Sequence, residues 1–447
     1  MTTNPAASSV IFGWSPVLVS SALFLLTYAL VISERINRSI VALLGAALII
    51  LLGVLSQKSA LGGIDFNTLG LLLGMMVVVN ITGRSGVFQF VAIWSAKKVA
   101  AHPLGVLIML SVVTAVFSAL LDNVTTVLLI VPVTLLITEQ LKVSPYPFLV
   151  AEIVMANVGG TATLIGDPPN IMIGSAVPLS FNAFLAHTAP IVVLAIMPVT
   201  LALIALIWGR KLRASAEDRA RIMQFAERDA ITDWRLLKQS LAVLALVLAG
   251  FVVAHPLGQE PATIAIAGAA LLLLLDNYHR SGEEQSKNVH HAFAEAEWIT
   301  LFFFVGLFVL VHALEAAGVI HWLAERLLAA TGGDLKTTAL AILWGSAIAS
   351  AFVDNIPFVA TMIPLVKSMA PAMGGEEALM PLWWALALGA CLGGNGTLIG
   401  ASANLVVAGF AERAGQPIRF LAFMKSAFGL MLVSVAISHV YVVLRYF

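Results

Sequence analysis

Apolar stretches of about twenty residues, separated by short polar ones, recur along the whole chain, and each is long enough to cross about 30 Å of hydrocarbon as a helix. The plainest predict membrane helices over residues 14–33, 38–56, 66–83, 188–209, 239–254, 260–276, 298–315 and 423–444. Four further apolar segments, 104–140, 146–176, 336–369 and 380–411, are interrupted by polar and helix-breaking residues. Only 210–238 and 277–297 read as long polar loops. The expected fold class is an all-α polytopic membrane protein.

Composition narrows the function classes. Of 447 residues, 60% are hydrophobic and 11% charged, with a mean hydropathy of +0.98. Soluble domains carry about 25% charged residues, so a water-soluble enzyme is excluded. The lone Cys391 leaves no internal disulfide and no multi-cysteine metal site, and no cofactor is expected. A net charge of zero gives no sign of a nucleic-acid partner. The first apolar segment begins near Ile11 without a basic stretch before it, so it reads as a span rather than a cleaved signal peptide.

Basic residues suggest the sidedness. Arg210, Lys211, Arg213, Arg219, Arg221, Arg228, Arg235 and Lys238 crowd one loop, whose plain reading is a solvated connector. Short loops rich in Lys and Arg stay cytoplasmic. If 104–140 and 336–369 are re-entrant hairpins and ten other segments cross, nineteen of the 24 basic residues fall inside and five outside. Both termini are then periplasmic. Letting each hairpin cross as two spans changes this count little, so the hairpin expectation rests on the polar tips.

An internal repeat organises the chain. SALLDN (118–123) returns as SAFVDN (350–355), and Gly74 and Gly86-Val87 return as Gly306 and Gly318-Val319, all offset by 232. GGTATLIG (159–166) returns as GGNGTLIG (393–400), with Asn170 matching Asn404, at an offset of 234. The expected units are residues 1–210 (hairpin 104–140, broken helix 146–176) and 239–447 (hairpin 336–369, broken helix 380–411). A cytoplasmic basic linker, 211–238, joins them. Five crossings and one hairpin per unit force the second copy upside down. Inverted repeats with paired broken helices are a common transporter plan, with substrate held near the midplane. No GxxxxGK[ST] phosphate loop supplies an ATPase.

The polar residues inside these segments are the candidate chemistry. A carboxylate at membrane depth costs about 2.5–3.5 kcal/mol on insertion scales and is by default a functional hypothesis. Asp122 and Asp354 join two apolar arms each, beside Asn123 and Asn355. They could simply cap hairpin turns; the functional reading is that they gain and lose a proton or ion. Glu152 and Asp167 are the other candidate proton-coupling acids, Glu152 alternatively snorkelling to the surface. Gly159, Gly160 and Gly166, and Gly393, Gly394 and Gly400, are the expected helix breakers. A broken helix exposes carbonyls at one end and amide N–H groups at the other. Asn123, Thr126, Thr163, Asn170, Asn355, Asn395, Thr397 and Asn404 are the candidate substrate ligands. His312 and Glu315 share a helix face and pair with each other rather than with a metal. Cys391 reads as a small buried hydrophobe.

The words SALLDNVTTVLLIVPVT and ANVGGTATLIGDPPNIMI resemble the ion-transporter superfamily of ArsB-type arsenite permeases, NhaD-type sodium/proton antiporters and the melanosomal P protein. The resemblance covers nearly the whole chain and lies nearest the P protein branch. It implies two inverted repeats whose hairpin tips (Asp122, Asn123, Thr125, Thr126; Asp354, Asn355) and helix breaks (Gly159–Asn170; Gly393–Asn404) meet at a central site. Related sodium-coupled dicarboxylate carriers have Ser-Asn-Thr words where this chain has Asp-Asn, which favours a proton as coupling ion. The function expected from it is arsenite export, with antimonite alongside, by proton antiport across the cytoplasmic membrane. The alternatives are a sodium/proton antiporter and an anion transporter or channel. One cysteine cannot make a three-thiolate arsenic site, whereas Asn and Thr side chains suit the uncharged trihydroxide. A soluble ATPase subunit is a candidate partner.

Overall fold

In the computed structural model, residues 10–33, 35–177 and 179–447 are described, and among them every regular element is a helix, with no strand. Residues 1–9, whose expected place was the periplasmic side, lie outside the described part. Nine of the described helices are long and apolar enough to cross a membrane. The chain is a multi-pass membrane protein.

Local chemistry explains where the helices start. Asn37, Asp65 and Asp334 accept backbone N–H bonds from the first turns of Arg38–Leu51, Phe66–Gly83 and Leu335–Phe352. Proline opens Pro103–Leu120, Pro168–Ala176 and Pro261–Asn277, where its missing N–H costs nothing. The segment expected over 38–56 stops at Leu51, and a separate short helix, Gln57–Gly62, follows.

Several helices were not legible as elements, among them Gly282–Ala294, which Ser281 and Glu284 cap within the expected polar loop 277–297. Val87–Lys98 and Val319–Thr331 lie in stretches that read as connectors. Each follows a glycine, Gly86 or Gly318, with φ +82°, a left-handed turn that reverses the chain without steric cost. Both are too short and too mixed in polarity to register as spans.

Each interrupted segment contains two helices. Pro103–Leu120 and Asn123–Gln140 form one hairpin, Leu335–Phe352 and Asn355–Ser368 the other, with Pro132 and Pro364 at matching places in the second arms. Tyr146–Gly160 and Pro168–Ala176 are the halves of one broken helix; Met380–Gly393 and Ser402–Arg413 are the halves of the other. Gly159, Gly160 and Gly393 do not themselves break a helix: they finish the last turn of their half-helices, and the irregular residues are 161–167 and 394–401. Their smallness serves packing instead. A Cβ at Gly159 would overlap the Ala115 backbone, and one at Gly393 would stand 2.5 Å from the Ala347 carbonyl oxygen.

The two halves of the chain also exchange helices. Arg38–Leu51 packs on Trp298–Ala316, and Pro261–Asn277 packs on Phe66–Gly83. Glycine permits both crossings. A Cβ at Gly74 would lie 2.6 Å from the carbonyl carbon of Ala265, and one at Gly306 would lie 2.5 Å from that of Ala42.

The basic linker is docked rather than free. Its helix Ala216–Met223 places Arg219 on the Ala100 carbonyl at 3.1 and 3.0 Å. Lys97 reaches the Phe225 carbonyl (2.8 Å) and Glu227 (2.5 Å), and Asp218 pairs with Lys142 at 3.1 Å.

Candidate functional site

Each hairpin tip is bonded to a helix break. The backbone N–H of Asn123 donates to the Gly166 carbonyl (3.1 Å), and that of Asn355 donates to the Gly400 carbonyl (3.2 Å). The hydroxyls of Thr163 and Thr397 donate to Ala119 and Ala351, both at 2.5 Å, and Ser118 and Ser350 donate to Ala156 and Ala390. Thr163 and Thr397, candidate substrate ligands by sequence, are therefore spent on holding the tips to the breaks. Asn170 and Asn404 are similarly committed: their side-chain N–H groups tie down the break carbonyls of Gly160, Thr161 and Thr163, and of Gly394 and Thr397. Buried carbonyls outside a helix need a partner in place of water, and these amides supply it.

Behind the tips lies a buried amide network. Asn157 accepts from Asn123 (3.1 Å) and donates to the side-chain oxygens of Asn395 (2.9 Å) and Asn404 (3.0 Å). It joins both halves at one side chain. Shifting Asn157 and Asn404 between the repeats by 234 gives Cys391 and Asn170, and there Cys391 donates to the Asn170 side-chain oxygen at 3.4 Å. Cys391 is thus a weak-donor counterpart of Asn157 rather than only a small hydrophobe. Serine preserves both size and donor, so Cys391→Ser is expected to keep near-normal transport, while Cys391→Val loses it. Initial rates in proteoliposomes with matched protein content check this; equal rates for Ser and Val variants would remove any role for the bond.

Four helices begin at this centre, and three of them begin with an aspartate. Asp122 caps Asn123–Gln140 by accepting from Thr125 N (2.7 Å), and Asp354 caps Asn355–Ser368 through Ile356 N (3.1 Å). Asp167 precedes Pro168–Ala176 without making a capping bond, and Ala401 precedes Ser402–Arg413. Helix N-termini carry partial positive charge, so ionised caps compensate it and neutral ones leave it free for an anion or an electron-rich oxygen.

The acids differ in their partners. Asp167 is fully buried and its carboxylate faces the Asn355 amide at 3.3–3.4 Å. Glu152, also buried, accepts from Thr134 at 2.5 Å and leaves its second oxygen unbonded, so it does not snorkel. Asp354 pairs with Arg38 at 3.1 Å. The open hydrogen-bonding capacity at the tip belongs to the first half: the Asn123 side-chain oxygen and the Thr126 hydroxyl are buried and unpaired. His312 and Glu315 lie far along the chain from these tips and pair with each other at 3.3 Å, as expected.

Sequence reasoning missed Asn157 and Arg38. Asn157 stands inside a quoted word but has no identical residue in the second copy, so comparing the repeats for identity passed over it. Arg38 was counted only as a loop charge.

The comparisons with known proteins agree with this architecture. The family profile described as citrate transporter matches residues 28–389. An uncharacterised transporter of Mycobacterium tuberculosis is 43% identical over 435 residues, covering 96% of this chain and 99% of that protein. The human P protein is 33% identical over 512 residues, covering 96% of this chain and 60% of that protein. Among solved structures, the YdaH transporter of Alcanivorax borkumensis superposes with a TM-score of 0.59 over 96% of this chain and 99% of that one. At 14% identity that likeness is one of fold. The chain is therefore a membrane transporter belonging to the citrate transporter (CitMHS) family.

Proposed function

We propose that the chain is a secondary transporter that exchanges protons for a small solute held by hydrogen bonds between the hairpin tips and helix breaks. The observation that carries this is the set of three aspartates at three of the four helix starts gathered there. Proton loading uncovers the positive helix ends, and proton loss covers them again. Coupling is assigned to Asp122 and Asp167, with Glu152 as a relay and Asp354 restrained by Arg38. An outward-facing site loads a proton; the inward-facing site releases it and admits solute.

Arsenite export by antiport is the first specific form of this reading, with antimonite alongside. Unpaired amide and hydroxyl oxygens at the tip suit an uncharged trihydroxide, and Arg38, the cation at the tips, is already engaged by Asp354. Citrate is the second, supported by the family description and by the convergence of helix N-termini. Sodium in exchange for protons is a third outcome. Purified protein in proteoliposomes, given arsenite, antimonite, citrate and sodium under an imposed pH gradient, separates them. Exchange in which none of these solutes responds to the gradient would overturn the coupling. Asp122→Asn is expected to abolish the gradient dependence while leaving solute-for-solute exchange. Unchanged pH-driven transport would reduce Asp122 to a turn cap.

Inverted repeats, re-entrant hairpins, a cytoplasmic linker, periplasmic termini and residence in the cytoplasmic membrane belong to the same proposal. The reciprocal packing of Gly74 on Ala265 and Gly306 on Ala42 supports the repeats, and the bond from each tip to the middle of a broken helix supports the hairpins. A reactive cysteine near residue 225 should label from the cytoplasmic side, and one at the C-terminus from the other side. Labelling of both from one side would reject the threading.

A further inference from the structure

Arg38 opens a helix of the first half yet makes all its side-chain bonds in the second. Its guanidinium donates to Asp354 (3.1 Å), Ser402 (2.5 Å) and Thr300 (3.0 Å), and it lies 5.3 Å from the centre of the Phe303 ring. Two buried elements of the candidate site, the second hairpin tip and the second half-helix, are thereby tied to one cation. Beside it is a cavity of about 220 Å³ whose wall includes Tyr28, Asn37, Arg38, Phe303, Asp354 and Pro357.

The repeat supplies the comparison. Thr300, Asp354 and Ser402 correspond to Thr68, Asp122 and Pro168 in the first half. Ala42 and Ala265 play matching parts in the two helix crossings, and the same shift carries Arg38 onto Pro261. Proline carries no charge. Among the described residues Asp122 makes no ion pair, and its carboxyl accepts only from the turn it caps. The other acids that bear on this cluster are Glu297, which feels both Arg38 and Asp122, and Asp167, which feels Asp354. The two tips are alike in backbone and unlike in charge.

We infer that Arg38 is a resident cation: it occupies at the second tip the place that a proton or transported ion takes at the first. A guanidinium does not give up its proton, and a tethered one cannot leave with the solute. Asp354 is then compensated by the chain itself throughout the cycle, and Asp122 is the tip carboxylate left for coupling. The inference rests on the proposed coupling role of the tips. Its chemistry is separable from transport, because removing the side chain while keeping Asp354 should open a cation site beside the cavity.

The test uses methylguanidinium at millimolar concentration on purified full-length protein in detergent. Methylguanidinium is expected to raise the melting temperature of Arg38→Ala by several degrees and to leave wild type and Arg38→Ala/Asp354→Asn unmoved. No rise in Arg38→Ala, or an equal rise in the double variant, overturns the inference. Should Arg38→Ala fail to fold, Asp354→Asn and Arg38→Gln/Asp354→Asn decide: the double is expected to be more stable than Asp354→Asn, which leaves a half-buried cation without its carboxylate. A double variant less stable than that single overturns the inference. In proteoliposomes, Arg38→Gln should exchange about one more proton per solute than wild type, by reversal of a solute gradient against a pH gradient, with the double variant returning to the wild-type ratio. An unchanged ratio in an active Arg38→Gln overturns it too. A wild type that exchanges no solute against a pH gradient would defeat the transport proposal alone, since the methylguanidinium comparison makes no use of transport.

Discussion

Asn157→Ala is expected to abolish transport and to lower the melting temperature sharply. The side chain accepts one hydrogen bond and donates two, all to buried amides on other elements. Truncation leaves the Asn123 N–H and the Asn395 and Asn404 oxygens short of a partner. A buried unsatisfied group costs about 1–3 kcal/mol, so the change should cost on the order of 3 kcal/mol or more. The links lost include both of those joining Asn157 to the second half, so the registry of the two breaks goes with them. Asn182→Ala is the control: its amide donates to Val252 at an exposed place, and its loss should be within about 0.5 kcal/mol. Thermal unfolding in detergent and solute uptake measure the pair. Similar losses from both variants would show that the network carries no special weight.

Gly166→Ala is expected to be as damaging through space alone. An added Cβ would stand 2.7 Å from the carbonyl oxygens of both Gly160 and Ser118. Both are backbone atoms of packed elements, so neither can swing aside, and relief requires the hairpin to leave the break. Overpacking of well-packed sites costs about 1–3 kcal/mol, and the rigid backbone on two sides places this site at the upper end. The Gly166 carbonyl that accepts from Asn123 would move with it. At Gly429, in the helix Phe420–Tyr446, nothing lies within 4 Å of an added Cβ. Alanine there should be neutral or stabilise by up to about 1 kcal/mol through helix propensity. Expression level, melting temperature and transport of the two variants give the comparison. A stable, active Gly166→Ala would refute the close-packing argument.

Much of the fold was legible because membrane helices announce themselves by length and polarity. The interrupted segments stood out for a second reason: their breakers and polar words occur twice, at almost constant offset, and chance does not duplicate SALLDN and GGTATLIG in order. The reading faltered where that logic had no purchase. Val87–Lys98 and Val319–Thr331 have neither a span's length nor a strong break, and only the left-handed glycines before them mark the turn. Thr163, Thr397, Asn170 and Asn404 stand in or beside the breaks, but sequence could not tell that backbone carbonyls had already claimed most of their capacity. Asn157 is bonded to its neighbours through a position where the copies differ, and identity between copies cannot reveal it. Arg38 required knowing that a residue at the start of one half's helix ends against the other half's hairpin. That is a three-dimensional fact with no periodicity to betray it.

The exchange of helices between the halves has a consequence for how the protein is made. Arg38–Leu51 leaves the ribosome long before Trp298–Ala316, the surface it packs on, has been synthesised. Through that interval the Ala42 face that later receives Gly306 must be covered by lipid, by the insertion machinery or by a transient neighbour. Phe66–Gly83 waits likewise, with Gly74 uncovered until Ala265 arrives. Neither half can settle as a finished unit by itself, so assembly is held open until well past the middle of translation and then closes in order, first at the Gly74–Ala265 crossing and then at the Gly306–Ala42 crossing. A nascent chain arrested before residue 298 should therefore leave Arg38–Leu51 open to protease, and one extended far enough for Trp298–Ala316 to have emerged should not.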